Sequence, residues 1–399
     1  MNDLETPVSG HEESPKKKKP ALAAFLNFIV PGLGYVYAGN IKRGVIAYFL
    51  LILVAVISIR FVAYTFTLFL VGIGLIIAFY VYLIVSGYRA VGKAKHQETK
   101  RWDVWYVYVL VIAAQVGLRP FLQSIHSLGY LSPITPVVIP TPAMDPTLQI
   151  GDHLMFHKTK TIARNNIIVF KWPPDQKIMY IKRCVGMPGD TLSIRKAAVF
   201  VNGDSLTGDY MLKYRYAVQT DGVRIQQRVL DQFGIAESEF YDVGSGSYSM
   251  FLTQEQARQV RGLPFIKFVE REMTSEDELE PDVYPQTGSG QWNKDNFGPL
   301  YLPKKGDRIP LTHRNLALYG TCLKYENESV ELLDSAAIIN GKQIDTYAFK
   351  DNYYFMMGDN RHNSLDSRYW GFVAESMVLG KALYFYWSKD WDRIGTSIR

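Results

Sequence analysis

At 399 residues the chain is long enough for roughly two or three domains. Its net charge of +6 is not gathered into a basic patch interleaved with aromatics, which argues against a nucleic-acid partner. Cys184 and Cys322 are the only cysteines, too few for a disulfide scaffold or a four-ligand zinc site, and whether they pair stays open. The apolar fraction of 48% averages two unlike halves, because nearly all the long apolar runs precede residue 123.

Four lysines, Lys16 to Lys19, form a basic tail suited to anionic lipid headgroups. Residues 20–40, "PALAAFLNFIVPGLGYVYAGN", come next. If they crossed the membrane the lysines would lie outside. Pro31-Gly32-Leu33-Gly34 breaks the stretch, so a re-entrant or interfacial hairpin with both ends cytoplasmic is expected, with a fourth span as the alternative. A hydrocarbon core about 30 Å thick needs about 20 apolar helical residues. Spans are predicted over about 44–60, 61–88 and 102–122, the last built on the apolar run 104–118 with Trp102 and Trp105 at its start, at an interface, and Pro120 just past that run's end. Lys42, Arg43, Arg89, Lys93, Lys95, Lys100 and Arg101 then face the cytoplasm, and residues from about 123 onward lie outside.

After residue 135 short β-branched and aromatic runs alternate with Gly, Pro, Asn and Asp, and Asn202-Gly203 and Asn340-Gly341 read as hairpin turns. No strand–helix alternation of the dinucleotide-binding kind and no phosphate-cradling glycine loop occur, so no cofactor is expected. The predicted fold is a mostly β domain of antiparallel sheets, sandwich- or barrel-like, after an N-terminal α-helical transmembrane region. Residues about 200–335 read as an inserted surface subdomain without a catalytic constellation.

Three segments carry chemistry. In "IPTPAMDPTLQIGD" (139–152), Pro140 and Pro142 stiffen the approach to a turn at Asp145-Pro146-Thr147. In "YIKRCVGMPGD" (180–190), Lys182 sits in an apolar strand. Either its amine lies in water, or burial lowers its pKa and makes it a base. "GDNRHNSLDSRYWGF" (358–372) is dense in Asp, Asn, Arg and Ser.

In this order, the segments resemble type I signal peptidase, the membrane-anchored Ser/Lys-dyad endopeptidase that removes signal peptides from exported proteins. The resemblance covers roughly 137–192 and 340–395, including "WDRIG". It implies that position 143 carries the serine nucleophile, that Lys182 is the general base and that Ser364 orients Lys182. It further implies that Thr141, with the backbone N–H of position 143, binds the oxyanion. Asp359, Arg361, Asp366 and Arg368 become structural charges, and His362 a loop residue. It also implies a multi-pass protein of the bacterial inner membrane with its catalytic domain on the extracytoplasmic side. Its partners would be membrane lipid and signal peptides with small residues at the first and third positions before the cut; no metal is implied. Three features depart from the family: the extra N-terminal apolar segments, Arg164-Asn165-Asn166 where "RGD" is usual, and Ala143 at the nucleophile position.

A methyl group cannot attack a carbonyl, and losing the nucleophile costs several orders of magnitude. Thr141 stands about 7 Å further along an extended segment and Thr147 lies beyond a proline turn, so neither replaces it. The chain is therefore expected to be inactive while keeping its base and peptide groove. A deliberate serine-to-alanine exchange or a paralogue that binds without cutting would each leave this pattern, and retention of Lys182 favours the exchange. The alternative function is a non-catalytic, membrane-anchored signal-peptide binder or assembly partner. A charge-moving transporter is disfavoured because the span cores hold no ionisable residue.

Overall fold

Proline and glycine set the first corner of the chain, as the sequence leads one to expect. The computed structural model describes residues 18–62, 65–93, 105–127, 133–286 and 291–398. Lys16, Lys17, Lys95, Lys100, Arg101 and Trp102, all used in the charge and interface expectations, lie outside them. The chain divides into two units, residues 1–133 and 134–399.

The first unit is helical: α1 (Pro20–Ile29), α2 (Leu33–Tyr37), α3 (Ile41–Val62), α4 (Phe66–Lys93) and α5 (Trp105–Ser127). Pro20 opens α1, where its missing N–H costs nothing. Gly32, at φ 96°, turns the chain into α2. The break frees backbone N–H groups that need partners where they are buried, and one buried side chain takes them up. Asn27 Oδ1 accepts from Gly32 N at 3.1 Å and Gly34 N at 2.8 Å, while its Nδ2 donates to Leu83 O of α4 at 2.8 Å. The fit needs glycine. A Cβ on Gly34 would lie 2.1 Å from Ala23 O, and one on Gly87 2.2 Å from Asn27 Nδ2.

Among the described residues, two stretches are long and apolar enough to cross a membrane, Ile41–Ser58 and Phe66–Gly92. Only 17% and 11% of them is buried, so they are not core helices. The apolar part of α5, Trp105–Leu118, is shorter, because Arg119 interrupts it. Pro120 does not end this helix, contrary to expectation. It lies inside α5, where proline removes one backbone bond but keeps a helical φ.

The second unit is built on a seven-stranded antiparallel sheet. Its early strands are β1 (Ile134–Val138), β2 (His153–His157), β3 (Ile167–Lys171) and β4 (Met179–Gly186). The spatial order is β1, β2, Val378–Trp387, β3, β4, Tyr353–Met357, Val373–Ala374. β4 is thus central, with Ile168 opposite Lys182 on one side and Met357 opposite Arg183 on the other. Both Asn-Gly pairs form hairpin turns in the left-handed region, Asn202 at φ 53° and Asn340 at φ 52°.

The stretch 200–335 does not close into one separate body. Lys213–Thr220, Phe240–Gly244, Ser247–Thr253 and Ile266–Arg271 form a four-stranded sheet around a second core containing Val218, Met250 and Leu252. The helix Gln254–Arg261 starts there with a capping box between Thr253 and Gln256. Phe297, Leu300 and the helix His313–Glu326 instead join the main core, the helix through Leu316, Tyr319 and Leu323 on one face.

Candidate active site

Between β1 and β2 the chain makes a single 3-10 turn, Pro142–Met144, entered from Thr141 in extended conformation. Met144 and Leu148 are sunk in a core with Ile139 and Leu154, which pins the turn from below. Ala143 is 8% exposed, whereas Thr141 is open to solvent. Asn360 holds the turn from the side: its N–H donates to Ala143 O and its Nδ2 to Pro142 O, both at 3.2 Å.

Lys182 is 4% exposed, which removes the alternative of an amine in open water. Its Nζ donates to Ile181 O at 3.0 Å and stands 5.2 Å from the centre of the Tyr180 ring. Burial lowers its pKa to about 8, against the opposing pull of Asp366 and Asp359. Near neutral pH a substantial minority of such amines is uncharged, as a general base requires.

The third segment leaves the strand Tyr353–Met357 beside β4 and begins with Gly358. A Cβ there would lie 2.2 Å from Ser364 Oγ and 2.4 Å from Ala143 O. Only glycine lets the serine and the turn pack against the same point. Ser364 Oγ is buried and has no hydrogen-bond partner. The bond from Ser364 to Lys182 that the resemblance implies is not formed here; the amine uses Ile181 O instead.

Two buried arginine–carboxylate forks hold this frame. Arg183 donates to Asp359 through Nε at 2.8 Å and Nη2 at 2.6 Å, and Arg368 to Asp366 through Nε at 2.9 Å and Nη2 at 2.8 Å. Asp366 also accepts Gly358 N–H at 3.1 Å. Burial works to raise the Asp366 pKa, but Arg368 and these hydrogen bonds hold it below the usual carboxylate range. Removing one partner of such a pair costs about 3–5 kcal/mol, since a buried charge is left alone. Arg361 is buried as well, 3% exposed.

Two expectations change. His362 is more than a loop residue: its Nδ1 accepts Arg215 N–H at 3.1 Å and its Nε2 donates to Asp295 at 2.7 Å, so it is built into the packing. The unusual "RNN" has a backbone explanation. Asn165 sits at φ 68°, a left-handed position where asparagine is tolerated in place of glycine, and its carbonyl accepts Arg183 Nη1 at 2.7 Å. Arg164 pairs with Asp190 at 2.9 Å. Asn360, which holds the turn, is a residue that the sequence did not single out.

The family described as "Signal peptidase, peptidase S26" matches residues 111–256 and 304–387. The signal peptidase I of Buchnera aphidicola subsp. Acyrthosiphon pisum (strain APS) is 26% identical over 271 residues, covering 64% of this chain and 68% of that protein. That of Aquifex aeolicus (strain VF5) is 25% identical over 283 residues, covering 70% and 81%. The crystal structure of a signal peptidase I from Enterococcus faecalis V583 aligns at 18% identity with a TM-score of 0.22, covering 55% of this chain and 96% of that one. With more than half of its residues matched by the family, and with the proline-bordered turn and the "GDNR" loop meeting at Gly358, this chain belongs to the signal peptidase family of serine peptidases, peptidase S26.

Proposed function

We propose that this is the site of a signal peptidase I-type endopeptidase, held inactive by Ala143 at the nucleophile position. One observation supports it above the others. Ser364 Oγ, a buried hydroxyl with no partner, packs with the Ala143 carbonyl against Gly358, and Lys182 is a buried amine near its titration point that feels Asp366 and Asp359 of the same loop; a serine at 143 would supply the oxygen both lack. A buried hydroxyl left unpaired costs roughly 1–3 kcal/mol, and such a cost is tolerated where function needs the group.

With a serine at 143, neutral Lys182 takes the hydroxyl proton as the oxygen attacks the scissile carbonyl of an extended signal peptide. The oxyanion is received by the N–H of position 143, which as a first-turn donor has no intrahelical acceptor, and by the Thr141 hydroxyl. The Lys182 ammonium then protonates the leaving amine, and water releases the acyl group with Lys182 again as base. Ser364 orients the amine throughout. In the present chain the peptide is held and nothing attacks it. The domain works on the extracytoplasmic side, with α3 and α4 crossing the bacterial inner membrane and α5 as the third passage.

The test is cleavage of a preprotein with a small-x-small site. The A143S chain should cut at least about a thousandfold faster than the present chain, and adding Lys182→Ala should abolish the gain. An A143S chain that binds the peptide and leaves it whole would favour the non-catalytic binder instead.

A further inference from the structure

Lys213 opens a strand of the second core's sheet, yet it is stitched to the "GDNR" loop. Its N–H donates to Asp359 O at 3.0 Å and its carbonyl accepts Arg361 N–H at 2.8 Å. The side chain is buried, 3% exposed, and its ammonium donates to two carboxylates, Asp145 and Glu239. Asp145 lies two residues after position 143, and its own N–H closes the turn onto Pro142 O at 3.0 Å. Glu239 is fixed independently, its other oxygen accepting Ala236 N–H at 3.2 Å. Burial, then the neighbouring Asp145, raises Glu239 to about 7 against the pull of Lys213.

A desolvated ammonium is a poor choice for stability alone, since apolar residues of similar volume do as well or better. What the charge adds is direction. Asn360 grips the two carbonyls of Pro142 and Ala143. On the far side of position 143 Lys213 grips the Asp145 side chain, and Thr147, further along, donates to Asp359 at 2.5 Å. We infer that Lys213 is a positioning residue, which fixes position 143 relative to Lys182 through Asp145 and so makes the inserted sheet part of the active site. This rests on the proposed peptidase reading.

The test uses the full chain in detergent, in the A143S background and in the present one. Asp145→Ala cuts the tether while Glu239 keeps Lys213 paired, so the fold is spared. In the A143S background kcat should fall about 10- to 100-fold, the cost of a misplacement of about an angstrom, with KM and Tm nearly unchanged. Asp145→Asn, which still offers an oxygen to the ammonium, should restore most of it. Glu272→Gln, which breaks the exposed Arg215–Glu272 pair of the same sheet, serves as the control and should leave kcat alone.

Amide hydrogen exchange supplies a readout free of catalysis. Asp145→Ala should speed exchange of the amides at positions 145 and 148, which close the turn, and leave β4 protected, in both backgrounds. Unchanged kcat and exchange, exchange that quickens throughout the domain, or no rescue by Asp145→Asn would each overturn the assignment. If the A143S chain cleaves nothing, the peptidase reading fails by itself. Exchange in the present chain then still decides whether Lys213 holds the turn.

Discussion

Two turns in this molecule are bordered by proline and held by a buried polar side chain, and they end differently. At Pro31-Gly32-Leu33-Gly34 a neutral amide, Asn27, makes three hydrogen bonds, two at its oxygen and one from its nitrogen. At Pro142–Met144 the holding groups are Asn360, Lys213 and two ion-pair forks, and beside them stand an amine with one short-range acceptor and a hydroxyl with none. The first turn is solved as a packing problem. The second carries surplus polar capacity at a fixed place, which is what a reaction site needs and a structural corner does not.

The largest effect that tests this contrast is the pH dependence of the A143S chain. Lys182 must be neutral to accept a proton. Below its pKa the competent fraction falls tenfold per unit, so kcat/KM should climb with pH and level off above about 8. A lysine at its ordinary value of 10.5 would still be climbing at pH 10. Such a profile would mean that the amine is solvated during turnover, and the contrast with Asn27 would lose its basis.

The same contrast makes Asn27→Leu costly for the opposite reason. It strands the Gly32 and Gly34 N–H groups at a helix break, roughly 1–3 kcal/mol for each. Detergent-unfolding of the full chain should register that loss. A variant as stable as its parent would show that the hairpin is not held by this amide.

Much of this was legible in the residues. Prolines, glycines and Asn-Gly pairs announced their turns because few residue types adopt those backbone angles, and apolar runs announced α3 and α4. The lysine in an apolar strand was visible, though periodicity could not say whether it was buried; the strand is central and covered on both faces, so alternation is lost. Lys213 gave no signal, because in "KYRYAVQT" a lysine at the head of a strand looks solvated, and only a backbone bridge to Asn360 brings it inside. Asn27 was equally silent: one amide in an apolar run has meaning only when the facing helix is known. The helix His313–Glu326 was assigned to the insertion because sequence proximity does not reveal which core an amphipathic face will choose.

The smallest effect is the most discriminating, because its sign should reverse. In the present chain Ser364→Ala removes a buried hydroxyl that bonds to nothing, so stability should stay level or rise by on the order of 1 kcal/mol. In the A143S chain a new oxygen at 143 gives the Lys182 amine a second partner and draws the Ser364 hydroxyl into the same chain of bonds. There Ser364→Ala should lower both Tm and kcat. The difference between the two backgrounds is a coupling energy between positions 143 and 364 that no single variant can report. A purely structural Ser364, like a second Asn27, would cost the same in both.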